Sequence, residues 1–62
     1  MKISITTFKI ICSLWNYPEE ILEDVEYLNY TLTAIDTHNI NFNQEEKETA
    51  KEEIIELIKT LT

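Results

Sequence analysis

Residues 18–36, PEEILEDVEYLNYTLTAID, carry the clearest helical periodicity in the 62-residue chain. Ile21, Val25, Leu28, Leu32 and Ile35 recur at alternating steps of four and three, which places them on one stripe of a helix. Around that stripe stand Glu19, Glu20, Glu23, Asp24, Glu26 and Asp36, with no lysine or arginine among them. Pro18 suits the first position of a helix, where its missing N–H has no intrahelical partner. Glu19 and Glu20 follow in the first turn, where acids complement the positive end of the helix dipole. The spacing predicts one helix from Pro18 to about Thr37, roughly 30 Å long at ~1.5 Å per residue.

Upstream, Asn16-Tyr17-Pro18 punctuates the chain, since proline disfavours α conformation in the residue before it. The segment from Lys2 to Trp15 is rich in β-branched and aromatic residues, a composition that favours a strand. Its alternation holds only in pieces, and no partner strand is evident downstream. A helix from about Ser4 or Thr6 instead puts Phe8, Ile11, Cys12 and Trp15 on one side, and that is the preferred reading.

Downstream, residues 36–43 break the periodicity and favour turns. The chain has no glycine, so any left-handed backbone position falls to Asn39, Asn41 or Asn43. Ile40 and Phe42 are expected to turn inward. A further helix starts after Asn43, with Asn43 and Glu46 spaced as a capping box. Ala50, Ile54, Leu57, Ile58 and Leu61 form its stripe, with Ile55 at the edge. Two helices of matched length joined by a short loop predict an antiparallel hairpin. The fold expected is all-α: one domain over residues 1–62, a small three-helix bundle in which a short N-terminal helix packs on a long antiparallel hairpin. That short helix covers only part of the hairpin, leaving an apolar stripe for a second copy of the chain or another protein.

A chain this short typically gains no more than ~3 to 5 kcal/mol from its core. Cys12 is the single cysteine, so no intrachain disulfide is available, and a lone thiol in an apolar segment fits a reducing cytoplasm. Lys2 followed by ISITTF resembles a signal peptide only superficially, because Ser4, Thr6, Thr7 and Lys9 interrupt the apolar region. No apolar run approaches the ~20 residues a membrane span requires. The location expected is cytoplasmic.

Charge is unevenly distributed. The net value of -7 comes from twelve acids against five basic residues, all of them lysines. Two lysines precede Ile10, eight acids and no base lie between Ile10 and Glu46, and three lysines face four glutamates beyond. Direct nucleic-acid binding is disfavoured, because phosphate affinity comes from basic side chains that release counterions. An anionic membrane surface is disfavoured for the same reason. A basic protein surface would be attracted.

Catalytic chemistry finds little support. Without glycine the chain lacks both phosphate-cradling fingerprints. His38 is the only histidine and falls in a loop, where its spacing from Asp36 suits a local turn hydrogen bond or simple exposure. Neither Ser4, Ser13 nor Cys12 is tied to it as a triad would require. One cysteine and one histidine do not make a zinc set. The expectation is a non-enzyme with no cofactor and no metal.

The acids of residues 19–26 are the functional candidates. Within one helix, Glu19/Glu23, Glu20/Asp24 and Glu23/Glu26 are like-charge neighbours, each pair costing ~0.2 to 0.5 kcal/mol. Tyr27 and Tyr30 lie off the apolar stripe, and tyrosines contribute contact area at low entropy cost. The partner-binding set is therefore Glu19, Glu20, Glu23, Asp24, Glu26, Tyr27 and Tyr30. A surface of acids with interleaved tyrosines suits the basic face of a nucleic-acid-handling protein, as a mimic of DNA charge would. Small size and an Asn-, Ile- and Lys-rich vocabulary suit a phage or mobile-element inhibitor of a defence enzyme. The alternative is a homo-oligomeric helical bundle with a structural or regulatory role.

Overall fold

The strand-like composition of the N-terminal segment yields to helix in the computed structural model, which describes residues 3–62. α1 (Ile5–Leu14) starts where Ser4, in extended conformation, accepts a hydrogen bond from the Thr7 N–H. It ends at Trp15, also extended, as the chain approaches Pro18. α1 buries Thr7, Ile10 and Ile11, with Leu14 packed beside them. Its inward face is thus turned by one residue from the expected stripe of Phe8, Ile11, Cys12 and Trp15. Cys12 is exposed. Both stripes have helical spacing, and Thr7 takes the inward one because its hydroxyl finds a partner there.

Three helices were expected, whereas the described residues hold four. The predicted helix of residues 18–37 is divided into α2 (Pro18–Ile21) and α3 (Val25–Thr37). After Ile21 the backbone tightens, with the Glu23 N–H on the Glu20 carbonyl at 3.2 Å and the Asp24 N–H on the Ile21 carbonyl at 3.1 Å. Asp24 then leaves helical geometry, at φ -114° and ψ 103°, and becomes the N-cap of α3. Its Oδ1 accepts the N–H groups of Glu26 at 3.0 Å and Tyr27 at 3.3 Å. Aspartate competes with the helical ladder in this way because its short carboxylate can satisfy N–H groups that open a helix.

The segment after α3 turns without any positive-φ residue among those described, so none of Asn39, Asn41 and Asn43 takes a left-handed conformation. Instead the Ile40 N–H bonds to the His38 carbonyl and the Phe42 N–H to the Ile40 carbonyl. Ile40 and Phe42 pack inward against the core. α4 (Gln44–Leu61) opens with the anticipated capping box: the Glu46 N–H reaches Asn43 Oδ1 at 2.8 Å, and the Asn43 N–H reaches Glu46 Oε1 at 3.0 Å. At 13 and 18 residues, α3 and α4 are not the matched pair predicted.

α1, α3 and α4 each pack on the other two, while α2 packs on α1 and α3. Their shared core is Ile10, Ile11, Ile21, Leu28, Ile35, Ala50 and Ile54. Fully buried Leu28, Ile35 and Ile54 lie on the predicted stripes, and Val25 and Leu32 are half-buried. The all-α class holds. No helix among the described residues is long and apolar enough to cross a membrane.

Candidate functional site

The break at Asp24 gives the acidic segment two helix starts instead of one. Glu19 and Glu20 occupy the first turn of α2, Asp24 caps α3, and Glu26 stands in the first turn of α3. Each of these places favours a negative charge, since unpaired backbone N–H groups point toward it. Glu23 is exposed in the intervening turn.

Aromatic side chains from three elements meet this segment. Trp15, half-buried at the end of α1, donates its indole N–H to Thr31 Oγ1 at 2.9 Å. Thr31, fully buried, donates in turn to the Tyr27 carbonyl at 2.7 Å. This chain of bonds satisfies both polar groups and fixes the indole against α3. Trp15 meets Tyr27 edge to face, with centroids 5.4 Å apart at 86°, and Tyr27 meets Tyr30 at 5.8 Å and 79°. Such edge contacts set the positive ring edge against a negative face. Tyr30 is 55% exposed, its hydroxyl 3.5 Å from Glu26 Oε1, and Tyr17 is 70% exposed.

Between the α1–α2 connection and the start of α3 lies an open groove of about 270 Å³. Trp15, Tyr17 and Tyr27 provide its aromatic lining, Ile21 its apolar one, and Glu20 and Asp24 its carboxylates. Glu19 and Glu20 border a second hollow with Asn16, Tyr17 and Pro18. Of the predicted set, Glu20, Asp24 and Tyr27 therefore converge. Tyr30 joins them through Tyr27, and Glu26 through Tyr30, whereas Glu19 faces the adjoining hollow. Trp15 and Tyr17 complete the groove but were absent from the predicted set. The Trp-Asn-Tyr-Pro run immediately before two glutamates is the signal that marks them.

A second polar cluster joins α1 to α4. Glu53 Oε1 accepts from the Ser4 N–H at 2.8 Å, the Ser4 hydroxyl at 3.0 Å and the Thr7 hydroxyl at 2.5 Å. Partial burial pushes the Glu53 carboxyl up, but these bonds favour the charged form more and leave it below its ordinary value. Asp36 pairs with Lys51 at 2.9 Å, not with His38. His38 is exposed, its Nδ1 3.4 Å from the Thr37 hydroxyl. Among the described residues, no three His, Cys, Asp or Glu side chains are grouped as a metal site would require.

Compared with known protein families, curated proteins and solved structures, the chain shows no match.

Proposed function

We propose that this chain is a non-enzymatic protein–protein interaction module whose acidic and aromatic face occupies a basic surface of another protein. The observation that carries the reading is the placing of Trp15, Tyr17, Tyr27 and Tyr30 beside Glu20, Asp24 and Glu26, with the groove open to solvent. Partly exposed aromatics supply binding area, and the surrounding carboxylates steer a cationic partner into register. The finer form of the proposal is a small cytoplasmic inhibitor of a nucleic-acid-handling or defence protein, acting as a mimic of DNA charge and belonging to a phage or mobile element. The net charge of -7, the interleaved tyrosines and the small size support it.

Affinity capture at two salt concentrations tests the reading, with a DNA duplex as competitor. Binding of the partner is expected to fall steeply between 0.1 M and 1 M salt, over which the screening length shrinks from ~10 Å to ~3 Å. A chain carrying Glu20→Lys, Glu23→Lys and Glu26→Lys is expected to lose the partner while keeping its helix content. Asp24 is spared in this variant because its carboxylate caps α3. Capture that survives both treatments refutes the proposal, and indifference to DNA refutes its mimic form.

A second reading, self-association, is favoured by Ile5, Ile55 and Leu61, which are 72%, 43% and 42% exposed. A homodimer would cover such residues. A purely monomeric species in sedimentation at micromolar concentration removes it.

A further inference from the structure

Resting on that binding reading, we propose that the groove between the α1–α2 connection and α3 receives one arginine side chain of a basic partner segment. The guanidinium would lie against the rings of Tyr17 and Tyr27 and meet the carboxylates of Glu20 and Asp24. Three observations favour this occupant. First, the lining combines aromatic rings with carboxylates, and a planar, weakly hydrated cation satisfies both: it stacks on ring faces and bonds carboxylates in forked geometry. Lysine's compact ammonium stays hydrated and forks less well. Second, among the described residues no cation pairs with the rim. No lysine or arginine lies between Ile10 and Glu46, and the one ion pair among the described residues, Lys51 with Asp36, joins α4 to the far end of α3. Asp24 Oδ1 is engaged with backbone N–H groups, which leaves Oδ2 for a ligand. Third, the dimensions suit a side chain. The open groove of about 270 Å³ has room for one guanidinium and its stem, and its negative rim repels phosphate-bearing ligands.

Trp15 is the only tryptophan and lines the groove, so it reports occupancy directly. The full chain is titrated at low salt with three short blocked peptides of equal length, alternating glycine with arginine, lysine or citrulline. Trp emission and the amide and indole N–H resonances are followed. The arginine peptide is expected to shift the Trp15 indole resonance, to bind about fivefold more tightly than the lysine peptide, and to outbind neutral citrulline entirely. Tyr17→Ala and Glu20→Gln, both at exposed positions outside the core, are each expected to weaken the arginine peptide about threefold with unchanged helix content. Equal affinity for arginine and lysine overturns the proposal. So do shifts confined to Glu23 and Glu26 with Trp15 unmoved, although the acidic-face reading then stands. If neither cationic peptide binds at low salt, both readings fall.

Discussion

Replacing Asp24 with alanine separates structural from functional use of the acidic segment. In the folded chain Asp24 Oδ1 accepts two N–H groups, Glu26 at 3.0 Å and Tyr27 at 3.3 Å, from the opening turn of α3. Alanine leaves both to solvent and removes a favourable charge at a helix start. Losing such a cap typically costs ~1 kcal/mol. Against a total of only ~3 to 5 kcal/mol, that is roughly a fifth to a third of the stability. With a urea dependence of ~1 kcal/mol per M for a protein this small, the unfolding midpoint should fall by about 1 M. The melting temperature should drop by roughly 4 to 8 °C. Asp24→Asn keeps an acceptor in place, and asparagine caps about as well as aspartate, so its midpoint should stay within a few tenths of a molar of the parent. Glu23→Ala, one residue earlier in an exposed turn, should change stability by less than ~0.5 kcal/mol. Urea titrations followed by circular dichroism measure all three. If Asp24→Ala is as neutral as Glu23→Ala, Asp24 does not set the boundary between α2 and α3, and the structural account of the acids collapses.

Two further perturbations test the core and its polar tie. Because Glu53 has a lowered folded pKa, the stability it contributes is present above its ordinary value near 4.5 and is lost as pH falls through the lower folded value. Thr7→Val removes one of the bonds that lower it, so the slope of stability against pH in that acidic window should flatten; an unchanged slope contradicts the assignment. Ile54→Ala empties a fully buried position and should cost ~2 to 5 kcal/mol, comparable to the whole stability of so small a domain. Far-UV circular dichroism should show the variant largely unfolded at room temperature, and a cooperative native-like melt would contradict the packing described.

What the sequence revealed depended on how far each interaction reaches. The capping box at Asn43 was legible because both partners lie three residues apart, and the stripes through Leu28, Ile35 and Ile54 were legible because burial follows helical period. The division at Asp24 was hidden because Ile21, Leu28 and Ile35, seven residues apart, stay buried across it, so the apolar pattern continues where the backbone does not. Asp24 itself reads equally as an acid on a helix face or as a cap. The inward face of α1 was mistaken by one residue for a non-local reason: Thr7 tolerates full burial because Glu53, 46 positions away, accepts its hydroxyl. In the candidate site, Glu20, Asp24 and Tyr27 were found as sequence neighbours. Trp15 was placed on the expected stripe of the first helix, whereas it is half-buried and divides its surface between core and groove.

The divided helix also changes which residues support a binding role. In one continuous helix, stacked carboxylates at Glu19/Glu23 and Glu20/Asp24 would be a cost tolerated for some purpose outside folding. Two helix starts set a favourable term against that cost, because acids at such positions are worth ~0.3 to 1 kcal/mol of stabilisation. Repulsion therefore ceases to be an argument for function at Glu19, Glu20, Asp24 and Glu26. The aromatics are left without such a structural return. Tyr17 and Tyr30 are more than half exposed, and rings left in water gain little of the burial energy that would justify them in a core. Under the proposed binding role, the tyrosines beside these acids are the decisive residues: a partner that engages this face must feel the loss of their rings, not only the loss of charge.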